Sequence, residues 1–126
     1  MTLTNFELAA VLKLGIDMLM ADGRVDENEK KIIAVEMMKF GVTGEKLAHL
    51  GNLAQAMQPA EAIATVSTFD DEKKKHVAAF LAFIMISDGD IDDSEIALWR
   101  LISTLASLPT MTIKEGAEHW RKWLQK

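Results

Sequence analysis

Two short acidic segments of this chain carry carboxylates at matching positions. Residues 21–29 (the first acidic segment) read A-D-G-R-V-D-E-N-E, and residues 87–95 (the second acidic segment) read S-D-G-D-I-D-D-S-E. Closely spaced carboxylates, with a glycine that permits a sharp turn, are ligands typical of hard divalent cations such as Ca²⁺, Mg²⁺ or Mn²⁺. The candidate metal ligands are therefore Asp22, Asp26, Glu29, Asp88, Asp90, Asp92 and Glu95.

Each acidic segment matches only the second half of an EF-hand calcium loop. In that register, the first two ligand positions of the loop fall on Met18 and Met20 in the first copy. In the second copy they fall on Ile84 and Ile86. Because none of these side chains offers an oxygen, an ordinary EF-hand is excluded. A cation site must therefore take ligands from elsewhere, most economically from the other copy.

Helix capping is the alternative interpretation of the same residues. Asp26 and Asp92 can each cap a following helix, and a glutamate three residues later completes a capping box. This interpretation needs no ligand. It leaves Asp22 and Asp88 unexplained, since both lie near the C-terminal end of a preceding helix, where the helix dipole disfavours negative charge.

Helical periodicity is the only regular hydrophobic pattern in the chain, and it predicts an all-α, compact bundle of about seven helices. The second helix is expected from Asp26 to Phe40, and the sixth from Asp92 to about Leu108. The helix boundaries are indicated by capping residues, prolines and glycines: Thr4 with Glu7, Gly23, Gly41, Thr43, Pro59, Asp70 or Asp71, Ser87, Asp92, and Thr112 with Glu115.

The two acidic segments also define an internal repeat. Each is preceded by a long apolar helix and followed by an amphipathic one. We therefore expect residues 1–126 to form a single domain with two halves of similar design, related by a pseudo-two-fold axis.

The three tryptophans are expected to pack the terminal helix against the sixth helix. Trp120 and Trp123, three residues apart, could instead present an exposed docking patch. Each of the three histidines has a glutamate four residues earlier. That spacing favours side-chain pairing on a solvated helix face rather than a di-metal site.

Composition excludes several functions. The net charge of −5 argues against nucleic acid as a partner, and the absence of cysteine excludes disulfides and thiolate metal sites. The longest strongly apolar stretch without charge, Val77 to Ser87, is about half of the ~20 residues that a transmembrane helix needs. No nucleophile elbow or phosphate-binding loop is present. We expect a cytoplasmic protein that is not an enzyme.

The duplicated [AS]-D-G-x-[VI]-D-x-x-E motif, in a helical chain of this length, resembles the tellurite-resistance TerB-like family. The resemblance covers essentially the whole chain. It implies a compact bundle of about seven helices whose acidic loops form a candidate divalent-cation site. This chain departs from the pattern at Arg24, where the second segment has Asp90, so the first segment is less acidic than the second. The family's acidic positions fall on Asp22, Asp26, Glu29, Asp88, Asp92 and Glu95.

The resemblance also implies a biological setting. Family members are associated with tellurite or general stress resistance, sometimes at the inner face of the membrane, so peripheral membrane association is one expectation. An unidentified protein partner is another. The competing hypothesis is a structural or adaptor bundle whose acidic segments only cap helices and whose helix faces bind protein.

Overall fold

The structure, a computed structural model, describes residues 3–21, 27–87 and 91–124, and these residues form helices and the turns between them, with no β-strand among them. The all-α prediction is confirmed. None of the described helices is long and apolar enough to span a lipid bilayer. The helices are α1 (Asn5–Met20), α2 (Glu27–Met37, continued by a 3₁₀ turn at Met38–Phe40), α3 (Gly44–Ala56), α4 (Pro59–Ser67), α5 (Asp71–Ser87), α6 (Asp93–Leu105) and α7 (Ile113–Leu124).

Capping boxes begin the first and last of these helices. At α1, the Thr4 hydroxyl accepts a hydrogen bond from the Glu7 backbone N–H at 3.1 Å, and the Glu7 carboxylate accepts one from the Thr4 N–H at 2.8 Å. Thr112 and Glu115 repeat the arrangement at α7, at 3.1 and 3.2 Å. Both predicted boxes are confirmed, because each satisfies two backbone donors at a helix N-terminus.

Helices α3, α4 and α5 begin at the residues that the sequence predicts. Thr43 accepts a hydrogen bond from the backbone of Lys46, and Asp70 accepts one from that of Lys73 at 2.8 Å. Pro59 is the first residue of α4, where its missing N–H is not needed.

Among the described residues, a residue with positive φ closely follows two of the helices. Gly41 follows the 3₁₀ turn with φ of 86°, as expected for a glycine that stops a helix. The other case is Ser107, with φ of 55°. It comes after α6 has ended at Leu105, which is earlier than the expected end near Leu108.

α1 is the central helix of the bundle and packs against α2, α3, α4, α5 and α6. Its side chains Leu8, Val11, Leu14 and Met18 are buried in one continuous core. Where α1 meets α5, a Cβ at Gly15 would lie only 3.0 Å from the Phe80 ring. Glycine therefore allows these two helices to approach closely.

The terminal helix α7 packs mainly on α5, so the prediction that tryptophans join it to α6 is wrong. Trp120 is fully buried, with its ring 5.2 Å from that of Phe40 and 5.4 Å from that of Phe80. The two helices can approach closely because Gly116 has no side chain. A Cβ at this position would come within 2.6 Å of the Ala82 Cβ. Burial of Trp120 also contradicts the exposed docking patch. The Trp123 side chain lies outside the described residues.

Candidate metal site

The second acidic segment leads directly into α6, and Asp92 caps that helix. Its backbone is extended (φ −88°, ψ 151°), and its carboxylate accepts a hydrogen bond from the Ser94 N–H at 2.6 Å. An aspartate in this conformation satisfies one of the free donors at the helix start. The predicted cap is therefore confirmed, and it engages one oxygen of the Asp92 carboxylate.

Glu95, three residues further on, is only 1% exposed. The glutamates at the same position of three other helices are more accessible: Glu7 is half-buried, while Glu61 and Glu115 are exposed. Burying a carboxylate requires compensating hydrogen bonds or positive charge. The environment of Glu95 therefore differs from that of an ordinary capping-box glutamate.

Most of the other predicted ligands lie outside the described residues. This applies to Asp22 and Asp26 in the first acidic segment, and to Asp88 and Asp90 in the second. Glu29 lies in the first turn of α2, but its side chain is not described. The equivalence of the two segments, and with it the pseudo-two-fold repeat, stays a prediction.

Among the described residues, no group of three or more acidic or histidine side chains is arranged to hold a metal ion. Asp92 and Glu95 alone offer fewer oxygens than the six to eight that Ca²⁺ takes. Their donor chemistry nevertheless suits a hard cation. Further oxygens would have to come from other carboxylates of the acidic segments, from backbone carbonyls or from water.

A buried carboxylate that the sequence analysis missed lies between α2 and α7. Glu36 accepts a hydrogen bond from the Trp120 indole N–H at 2.6 Å and forms an ion pair with Lys39. The Lys39 ammonium also lies 5.2 Å from the ring centroids of Phe83 and Trp120. The sequence signal was a single glutamate among apolar residues in the second half of α2.

His76 departs from the expectation that each histidine lies on a solvated helix face. It is buried, and its ring stacks on that of His119 at 5.3 Å between centroids. Burial lowers the pKa of His76, and the neighbouring His119 lowers it further. His49, by contrast, is exposed, as expected.

Comparison with known proteins places this fold in a family. The chain is 41% identical to a protein of unknown function from Porphyromonas gingivalis W83, and it superposes on that crystal structure with a TM-score of 0.85, covering 96% of this chain and 92% of that one. No curated protein matches it significantly. The family model described as tellurite resistance protein TerB matches residues 7–115, so the chain belongs to the TerB family.

Proposed function

We propose that this TerB domain is a non-enzymatic domain that binds a divalent cation through its acidic segments. At the second segment, Asp92 and Glu95 would supply ligands from the start of α6, and Asp88 and Asp90 would supply ligands from the residues just before it. The cation could be Ca²⁺, Mg²⁺ or Mn²⁺, since carboxylate oxygen suits all three.

The burial of Glu95 is the observation that carries this proposal. A glutamate that serves only as a helix cap can remain in water, as Glu115 does at α7. Glu95 is instead buried directly after the most acidic stretch of the chain. Carboxylates that lie close together repel one another, which is unfavourable. A divalent cation bound between them would replace this repulsion with attraction.

The decisive variant is Asp92→Asn combined with Glu95→Gln. Asn caps a helix about as well as Asp, and Gln replaces Glu in a capping box, so this variant removes two anionic ligands and retains the caps. A cation at a hundredfold excess over its Kd should stabilise the parent protein by about 2.7 kcal/mol. We expect the double variant to lose most of that gain. Thermal unfolding with each cation, and with a chelator, measures it.

Glu115→Gln is the matched control, because it makes the same chemical change at an exposed capping box. It should leave the cation response intact. Calorimetry that detects no binding of any of the three cations to the parent protein at millimolar concentration would refute the proposal.

The biological setting is also part of the proposal. The family description names tellurite resistance, and we propose a role in that or a related stress response, in company with a protein partner. Deletion of the gene, followed by complementation with the parent or the double variant, tests whether resistance to tellurite requires the cation site. Flotation with anionic vesicles tests peripheral membrane association.

An adaptor function is the second candidate, and an apolar surface on α6 favours it. Leu101 and Leu105, one helical turn apart, are 51% and 55% exposed. Covering them with a partner protein would remove apolar surface from water. If docking rather than cation binding is the function, Leu101→Ser with Leu105→Ser should abolish complementation, while Asp92→Asn with Glu95→Gln should not.

A further inference from the structure

A cavity of about 650 Å³ lies between α1, α2 and α3. Its walls are mostly aliphatic, with Leu12, Ile16 and Leu19 on α1, Ile33 on α2 and Leu47 on α3. The volume falls within the range of small-molecule sites, roughly 300–1,000 Å³. None of these side chains belongs to the candidate cation site.

The cavity follows α1 for about two helical turns. Its lining on that helix runs from Leu12 to Met20, a distance of about 12 Å at the helical rise of 1.5 Å per residue. The described lining contains no aromatic ring on which a flat ligand could stack. An aliphatic lining that follows a helix for about 12 Å and offers no ring for stacking suits a hydrocarbon chain better than a planar ligand.

Gly51 on α3 keeps the cavity open. A Cβ at this position would meet no atom within 4 Å, and the backbone of Gly51 is not in the left-handed region. Neither close packing nor backbone geometry therefore requires glycine there, although glycine weakens a helix interior relative to alanine. What the missing side chain provides is space in the cavity that Gly51 lines.

Lys13 is the ionisable side chain in the described lining. Its ammonium forms an ion pair with the Asp17 carboxylate at 3.3 Å, and both side chains are partly buried. Burial raises the pKa of Asp17, so this carboxyl takes up a proton more readily than an exposed aspartate does. A ligand carboxylate beside Lys13 would compete with Asp17 for this ammonium, and Asp17 would take up a proton more easily once that pairing is lost.

We propose that this cavity binds an unbranched aliphatic carboxylate, with the hydrocarbon chain lying along α1 and the carboxylate paired with Lys13. Two observations support this occupant: an aliphatic wall about 12 Å long and a cation among the lining residues. The site is independent of cation binding at α6.

The first experiment is calorimetric titration of the protein, in the presence of a chelator, with hexanoate, octanoate and decanoate below their micelle concentrations. Each additional buried methylene should raise the affinity about fourfold, which corresponds to ~0.8 kcal/mol. Octan-1-ol should bind more weakly than octanoate. Absence of decanoate binding at millimolar concentration would overturn the proposal, as would an affinity that does not rise with chain length.

Variants on α3 locate the site. Gly51→Met should fill the cavity and weaken decanoate binding at least tenfold. Gly44→Met is the matched control on the same helix, since a Cβ there also meets no atom within 4 Å and Gly44 does not line the cavity. Equal decanoate affinities in these two variants would overturn the proposal. Circular dichroism checks that the variants fold. If Gly51→Met does not fold, Gly51→Ala replaces it, and this smaller change should weaken decanoate binding less than Gly51→Met would.

Lys13→Met tests the head group, because it removes the charge and keeps an aliphatic stem. The variant should bind octanoate and octan-1-ol with similar affinity, so the preference for the carboxylate disappears. A preference for octanoate that persists in Lys13→Met would contradict the role of Lys13.

Discussion

Among single residues, Glu36 illustrates how a buried charge is made compatible with a small core. Its carboxylate is nearly inaccessible, yet it accepts the Trp120 indole hydrogen bond and pairs with Lys39. Hydrogen bonds to charged groups contribute more than neutral ones, and loss of one partner leaves the other buried without compensation. The Glu36–Trp120 contact therefore links α2 to α7 by a hydrogen bond to a charged group as well as by packing.

Trp120→Phe should consequently destabilise the protein. The change removes the indole donor from Glu36 and leaves a small void, so we expect the free energy of unfolding to fall by about 2–4 kcal/mol. Urea denaturation measures this. Trp99→Phe is a suitable control, because the Trp99 indole N–H donates to no acceptor among the described residues. The free energy of unfolding should therefore fall less in this variant. Equal losses in the two variants would show that the Glu36 hydrogen bond contributes nothing.

At the scale of helices, the α5–α7 contact contains a pair of histidines that links stability to pH. His76 and His119 stack across this interface, and Lys75 adds a further positive charge, while Glu72 acts in the opposite direction. Because the pKa of His76 is lowered in the folded protein, the unfolded chain binds more protons near pH 6.5. The contribution of neutral His76 to the free energy of unfolding is therefore fully present above about pH 6.5. It declines as the pH falls towards the pKa of His76 in the folded protein.

We expect the free energy of unfolding to decrease between pH 7.5 and pH 5.5, with the decrease reduced in His76→Gln. Urea denaturation across that range provides the measurement, and it avoids the lower pH at which Asp17, with its raised pKa, acts in the opposite sense. His49→Gln is the control, since His49 is exposed. An unchanged pH dependence in His76→Gln would contradict this account.

The sequence predicted where helices begin much better than which helices touch. The capping residues Thr4, Thr43 and Thr112 act within a single turn, so their effect can be inferred from neighbouring residues alone. The packing of α7 on α5 depends on residues far apart in sequence, such as Gly116 against Ala82. An amphipathic face predicts that a helix is packed but does not identify its neighbour.

For the molecule as a whole, the two acidic segments share a sequence motif but differ in charge. The sequence pointed to both, because their motif is local and duplicated. It did not predict the burial of Glu95, which arises from how α6 lies against the bundle. Nor did it indicate the cavity between α1, α2 and α3, since a cavity depends on the space that separate helices leave unfilled.

This inequality yields a prediction for cation binding. Asp26→Asn with Glu29→Gln should reduce cation-induced stabilisation less than Asp92→Asn with Glu95→Gln, because Arg24 makes the first acidic segment less negative. Thermal unfolding of both double variants over the same cation titration provides the comparison. A larger loss from the change at the first segment would reverse this assignment.

The central position of α1 has a consequence for how the protein is made. α1 is synthesised before every helix that it contacts, and its partners extend along the chain as far as α6. At roughly 5–20 residues per second, several seconds pass between the emergence of α1 from the ribosome and the completion of α6. During that interval the apolar surface of α1 is covered only in steps, as each partner helix is made. The nascent chain should therefore be a client for chaperones that bind exposed hydrophobic segments, until α6 completes the set of helices that contact α1.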